Sequence, residues 1–349
     1  MKIRYKHLFQ ALTFVALMMV VVGCSSNETE KTSNNEDTKT EDTTEGYPIT
    51  IKHVFGETVI EEKPERVASI AWSNQDVALA LDVIPVGFSA ANYGVLDDSS
   101  MLPWTAEKLK ELGEENPNIF QDTDGLDFEA IADSQPDVIL AAYSGLTQEE
   151  YDTLSEIAPV VAYQETPWVS SWKDTVLYDA MAMGMEEEGK QLITDTEQLI
   201  TDKAATVPDM AGKKAAFVAF SPADLSTFYI YTPGDPRGGF IEELGMQYPE
   251  NITSQVPDEN SFYLELSSEN ADLLNDLDIF VTYGDANTLA ALQADPLYGK
   301  VPAVKRGSVV VIEDNTPLAA AGTPSPLSIE YTIDDYLKLI SEAISKVND

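Results

Sequence analysis

The sequence predicts an α/β protein of two similar lobes joined by a single long helix. Three observations carry this. About 300 of the 349 residues follow Tyr47 and hold apolar side chains in periodic runs, too many for one ordinary core and suited to two. Short apolar runs alternate with helical periodicities in both halves, the pattern of βα units. Between the halves, residues 178–207 are helical in pattern and contain no Pro.

The first lobe, residues 47–185, opens with a strand signal over Ile49–Val54 and a Gly56-Glu57-Thr58 turn. A buried strand over Arg66–Trp72 and a helix over Asn74–Leu81 follow. Then come the strand IPVGFSA, the helix LDFEAIADS, the strand QPDVILAAYSG, the helix TQEEYDTLSEIA and the strand PVVAYQ. The connecting helix, residues 186–207, spaces apolar residues by three and four, with Gly189 weakening its start. About 20 helical residues span about 30 Å, enough to cross a small domain. In the second lobe, residues 208–349, KKAAFVAF, FYIYT, LDIFVTYG and GSVVVIED read as strands, and GGFIEELG and ENADLLND as helices. SIEYTIDDYLKLISEAI is an amphipathic helix that closes the lobe. QPDVILAAYSG and DLDIFVTYGD each run apolar after a short helix and end in Tyr plus a small residue, a faint echo between the lobes.

The first 46 residues have another logic. Lys2, Arg4 and Lys6 precede an apolar run from Leu8 to Val22, the pattern of an export signal over residues 1–23. The run is shorter than the ~20 residues of a membrane span. Val21-Val22-Gly23-Cys24 resembles a lipobox, which implies that Cys24, the sole cysteine, is acylated. Such an anchor would hold the protein on the extracytoplasmic face of the cell membrane. Residues 24–46 are then a polar, acidic tether with no apolar surface to bury. Loss of residues 1–23 leaves 18 basic against 60 acidic side chains, a balance of about −42. Without Lys/Arg clusters the chain is unsuited to nucleic acid.

In open parallel sheets ligands sit beyond the carboxyl ends of the strands. Here those ends carry Trp72, Asn92, Tyr93, Tyr143, Trp168, Trp172 and, in TPGDPRGGF, Arg237. Together they describe a cleft for a sizeable, partly polar organic molecule. Arg66 opens a strand at the far end and Arg306 lies in a turn before one, which leaves Arg237 as the cleft's cation. It could serve an anionic ligand or pair with Asp235.

The phrases PERVASIAWSNQDVALALDVIPVGFSAANYG, LDFEAIADSQPDVILAAYSG, IAPVVAY, GGFIEELG and KRGSVVVIED resemble the substrate-binding lipoproteins of iron-siderophore ABC transporters. This is the helical-backbone, ferrichrome- and cobalamin-binding-like family, with the class III periplasmic-binding-protein fold of two Rossmann-like lobes. Leu81-Asp82 departs from the family's usual Leu-Gly. The resemblance implies a monomer that captures a ferric siderophore, carries no cofactor and delivers its cargo to a permease with its ATPase. It also implies one permease-docking Glu per lobe, matched by Glu129 and by Glu243, with Glu242 a close rival.

Cobalamin or haem binding on the same fold is the alternative. A zinc or manganese binder would need several His ligands, and His53 alone remains after residue 23. DTDGLDFE lacks EF-hand spacing; its Asp127 reads as a helix cap. A lipid-anchored hydrolase would want a G-x-S-x-G elbow or an activating His near a nucleophile, and the sequence has neither. No catalytic residue is therefore expected, and the siderophore chemistry stays open.

Overall fold

Two five-stranded sheets organise the protein. The computed structural model describes residues 46–348 apart from 123, 222–223 and 259. The expected export signal, Cys24 and nearly all of the tether lie outside the described residues. Among the described residues no helix is long and apolar enough to cross a membrane.

The first sheet has the order β5-β4-β3-β6-β7, with β3 at Val67–Ser69, β4 at Gly87–Ser89, β5 at Ile119–Phe120, β6 at Val138–Ala141 and β7 at Val160–Ala162. Every pairing in it is parallel. Its strands are short apolar runs because helices cover both faces, and β6 is buried at all four positions. A hairpin of β1 (Ile49–His53) and β2 (Gly56–Ile60) leans on this sheet. The Gly-Glu-Thr expected as a turn instead begins β2, and Val54-Phe55 makes the reversal. His53 is buried in the hairpin, with Nε2 2.9 Å from Thr58 Oγ1 and its ring 5.1 Å from that of Tyr151. It is a packing residue.

The second sheet has the order β10-β9-β8-β11-β12, with β8 at Ala215–Ser221, β9 at Asp224–Tyr231, β10 at Tyr263–Ser267, β11 at Ile279–Gly284 and β12 at Val309–Glu313. It is mixed, because β9 runs antiparallel to both β8 and β10. Only two residues separate β8 from β9, too few for the crossover that parallel strands require. The strand β10 has no counterpart in the sequence reading, and ENADLLND lies in a 3₁₀ helix, Ser268–Asp276.

The connecting helix runs unbroken over Glu186–Ala204, while the helical pattern that reaches back to residue 178 belongs to a separate helix. Trp172–Ala182 ends at Gly184, whose φ of 67° ordinary residues avoid, and Glu186–Ala204 then starts anew. Gly189 is used where the two helices cross: a Cβ there would come within 2.4 Å of Ala180 Cβ. The terminal helix Pro326–Asn348 crosses the connecting helix, and Lys203 Nζ pairs with Asp334 Oδ2 at 2.6 Å. One buried cluster includes Val67, Leu140 and Trp172 from the first lobe and Phe217, Ile279 and Ile333 from the second. The core is therefore continuous across the hinge.

Asp179 lies within the Trp172–Ala182 helix, wholly buried, with neither carboxylate oxygen in a hydrogen bond. Burial pushes its pKa well above the usual carboxylate value, offset only by the nearby Ala142 amide. The folded chain thus keeps a proton that the unfolded chain releases above pH 3.8. Stability contributed by this group is full below that pH and falls as pH rises towards the folded pKa, by about 1.4 kcal/mol per unit. Asp179→Asn should gain on the wild type in urea unfolding as pH rises above the ordinary carboxylate value, until the folded pKa is passed. A difference that stays constant with pH would assign the slope elsewhere.

Candidate ligand-binding cleft

The cleft is built at the carboxyl ends of the strands, and Asn74 organises its first-lobe wall. Its Nδ2 donates to the carbonyls of Ile70 at 2.7 Å and Tyr143 at 3.0 Å, and its Oδ1 accepts from Tyr143 N at 3.0 Å. These bonds end β3 early, with Ala71 and Ser73 both in left-handed backbone conformations, and they fix Trp72 and Tyr143 side by side. Trp168 completes the wall. Its amide donates to Ser144 O at 3.1 Å, and its indole rests on Gly145, where a Cβ would fall 2.2 Å from Nε1. The Trp168 and Tyr143 rings meet edge to face at 5.4 Å.

Across the cleft, Arg237 occupies the first turn of the Pro236–Glu243 helix. Its Nε and Nη2 donate to the two oxygens of buried Asp235 at 2.8 and 2.6 Å, a fork-to-fork pair. Its guanidinium lies 4.0 Å from the centre of the Tyr231 ring and 5.2 Å from that of Phe262. Burial works against the charge on Arg237, but the Asp235 pair outweighs it and holds the group protonated. The two readings of Arg237 are compatible: it pairs with Asp235 and also faces the cleft.

A cavity of about 340 Å³ lies between these walls, lined by Trp72, Tyr93, Tyr143, Trp168, Arg237 and Phe262, with Tyr283 and Thr323 behind. It brings together five of the seven expected contacts. Asn92 lines a neighbouring cavity of about 360 Å³ that shares Trp72 and Trp168. Tyr93 Oη donates to Asp314 of the second lobe, and Gly94 N to Asn315 Oδ1 at 2.8 Å. Burial, together with the Asp314 bond, pushes the Tyr93 phenol up to about 12. Burial also raises Tyr143 to about 12, with Arg237 opposing. Both phenols are neutral donors at ordinary pH.

Trp172 is not in the cleft. It is buried at the start of its helix, and its Nε1 donates to Glu243 Oε2 at 2.9 Å. Glu243 in turn is held on both oxygens, since Lys173 Nζ also lies 3.5 Å from its Oε1. Its neighbour Glu242 is exposed on the same helix. Glu129 is exposed in a first turn capped by Asp127, whose Oδ1 accepts from Ala130 N at 3.0 Å. Arg66 and Arg306 bond to backbone carbonyls at the far ends of the sheets, as their positions in the sequence imply. Phe262 was missed, and Tyr283, though recognised at a strand end, was not among the expected contacts. Tyr283 stands at a strand end, whereas Phe262 precedes a strand that the sequence reading lacks. A larger hollow of about 640 Å³ lies between four helices, lined by Glu107, Lys108, Glu111, Asp195 and Glu330, away from the strand ends.

Comparison with known proteins agrees with this architecture. The periplasmic binding protein family matches residues 67–316. The crystal structure of PiaA from Streptococcus pneumoniae TIGR4, in complex with ferrichrome, is 53% identical, with a TM-score of 0.82 over 85% of this chain and 99% of that one. The "Probable siderophore-binding lipoprotein YfiY" of Bacillus subtilis (strain 168) is 26% identical over 95% of this chain and 97% of its own. Staphylococcus aureus SirA, solved with staphyloferrin B, is 26% identical with a TM-score of 0.62, covering 86% and 98% of the two chains. The match spans most of the chain and the two-lobed, helix-joined fold agrees with it, so this chain belongs to the periplasmic binding protein family, in its class III form.

Proposed function

We propose that the chain is the substrate-binding component of an ABC importer that captures a ferric siderophore of the neutral trihydroxamate type. The observation that carries the choice of ligand is the pairing of Arg237 with Asp235. The cleft's one lining cation among the described residues is already neutralised, and the remaining walls are mostly aromatic, with Ala319, Ala320 and Thr323. Ferric iron with three hydroxamates has no net charge, whereas ferric tris-catecholate carries three negative charges and would want several unpaired cations. The partly engaged guanidinium still offers N–H groups to hydroxamate oxygens, and the indoles offer flat apolar surface. The ferrichrome bound by the 53% identical PiaA supports the same class. Cobalamin and haem remain controls, because nothing singles out one Tyr as an axial ligand.

The rest of the assignment follows from this role. Residues 1–23 direct export, acylated Cys24 anchors the protein outside the membrane, and the tether lets a monomeric binder reach its permease, whose ATPase drives uptake. The name of YfiY as a lipoprotein supports the anchor. Glu129 and Glu242 are the docking carboxylates, with Glu242 replacing Glu243 because Glu243 is engaged by Trp172 and Lys173. Exposed carboxylates suit bidentate contacts with permease Arg residues. The family is one of binding proteins, and the proposal gives this chain no catalytic step.

Tryptophan fluorescence of the mature chain should be quenched at submicromolar concentration by a ferric trihydroxamate, and not by its iron-free form or by ferric tris-catecholate. Arg237→Ala should weaken that binding by about 1.5–3 kcal/mol, the worth of hydrogen bonds to a charged group. Quenching by cobalamin or haem alone would move the function to the alternative.

The two neighbouring glutamates separate in a second experiment. Glu242→Ala should lower iron uptake by cells with ligand affinity intact. Glu243→Ala should instead lower stability by about 1–3 kcal/mol, by stranding the Trp172 and Lys173 donors. Wild-type uptake by the Glu242 variant would remove it from the docking surface.

A further inference from the structure

The Arg237–Asp235 pair has the parts of an anion site, with the anion supplied by the chain. Asp235 caps the Pro236–Glu243 helix: its Oδ1 accepts from Arg237 N at 2.9 Å, and the Gly238 amide also favours its charged form. The same carboxylate accepts from Arg237 Nε and Nη2. A helix N-terminus with a guanidinium beside it is an arrangement that suits a phosphate or carboxylate brought in by a ligand. Here the side chain two residues before the arginine already fills it.

A ligand in the cleft cannot reach this carboxylate. Asp235 has no exposed surface and lines neither cavity, whereas the Arg237 side chain keeps 14% of its surface and lines the cleft. The ligand therefore meets the guanidinium and not its counter-charge. The walls nevertheless feel both. Burial raises the phenols of Tyr143, Tyr231 and Tyr283, and on each of them Arg237 acts downward and Asp235 upward. The opposing effects on three rings around the cleft fit a cation whose field is offset from behind.

We propose that Asp235 is the specificity-determining residue of the cleft, a resident anion that engages Arg237 in place of an anionic siderophore and so restricts the site to neutral ferric complexes. This role rests on the cleft being the siderophore site, and it names the side chain that sets the charge class admitted there. Each hydroxamate contributes one negative charge, so three neutralise ferric iron. An α-hydroxycarboxylate bound through both its oxygens contributes two, so putting it in place of one hydroxamate leaves the complex with one net negative charge. Loss of the Asp235 charge would release the guanidinium to pair with that excess. Asp235 acts only through Arg237, because it touches no ligand.

The test titrates the full mature chain, by tryptophan quenching, with a ferric trihydroxamate and with a ferric dihydroxamate–hydroxycarboxylate. The wild type should prefer the neutral complex at low and high salt alike. In Asp235→Asn, where Asn still caps the helix, the affinity ratio should move roughly tenfold towards the anionic complex, and that gain should fade with added salt. Combining Asp235→Asn with Arg237→Gln should abolish the gain. A ratio that stays unchanged in Asp235→Asn, whether or not both affinities fall, is the mark of a purely structural residue; it would overturn the proposal and leave the hydroxamate reading standing. If the variants do not fold, the wild type decides alone. An anionic complex bound as tightly as the neutral one at low salt, and more weakly at high salt, would mean that Arg237 carries its charge into the cleft, and the proposal fails. Binding of neither complex by the wild type would overturn the hydroxamate reading itself, and this role with it.

Discussion

A single buried carboxylate fastens the two lobes at the hinge. Asp76 is fully buried and accepts from Trp104 Nε1 at 2.7 Å, Thr105 Oγ1 at 2.8 Å and Ser325 Oγ at 2.7 Å. The first two donors belong to the helix Pro103–Glu111, and the third precedes the terminal helix of the second lobe. Burial raises the Asp76 pKa, while the bonds from Ser325, Thr105 and Trp104 counter it. Loss of any donor would leave part of a charged or polar group unsatisfied in the core, which costs more than an ordinary hydrogen bond is worth. This knot sits within a core that runs unbroken through the connecting and terminal helices. Large hinge bending would have to tear that core, so the lobes are limited to small relative movements.

A cleft that barely closes must owe its selectivity to what its walls already present. The sequence carries a net charge of −39, and a cleft lined at that average would repel any anionic iron complex. Instead, aromatic rings and a neutralised ion pair make a local surface of low net charge. Keeping Arg237 folded onto Asp235 also fixes its orientation, with Tyr231 and Phe262 holding the guanidinium plane. A free Arg on a long flexible stem would lose rotamer entropy on each binding event. The pair thus gives up some attraction for anions and gains a preset geometry.

Much of this was legible in the sequence, and the omissions have physical causes. Apolar runs that end in Tyr or Trp gave β3 and β6 and the residues beyond them, so Trp72 and Tyr143 were found by position alone. Arg237 was found by elimination among few arginines. Trp172 was misplaced because a strand-end position does not say whether the next helix has begun; its first turn points the indole into the hinge. Glu242 and Glu243 differ by about 100° around a helix, and composition cannot assign the inward one. The helical pattern reads on from residue 178 through the break at Gly184, although the connecting helix itself was placed beyond it, from residue 186. Phe262 was missed because β10, an edge strand with three exposed positions, lacks the apolar signature of the buried strands.

On the proposed roles, capture and docking are kept apart on one helix. Its first turn places Arg237 in the cleft, and its last turn sends Glu243 inward to Trp172 and Glu242 outward to solvent. Anchoring Glu243 to the first lobe fixes the rotation of this short helix about its axis. That rotation sets both the aim of Arg237 at the ligand and the exposure of Glu242 at the surface. A helix of eight residues is marginal by itself, so its orientation must come from such tertiary contacts. The contact with Trp172 therefore acts on the cleft without touching it, by holding the element that carries Arg237 and Glu242.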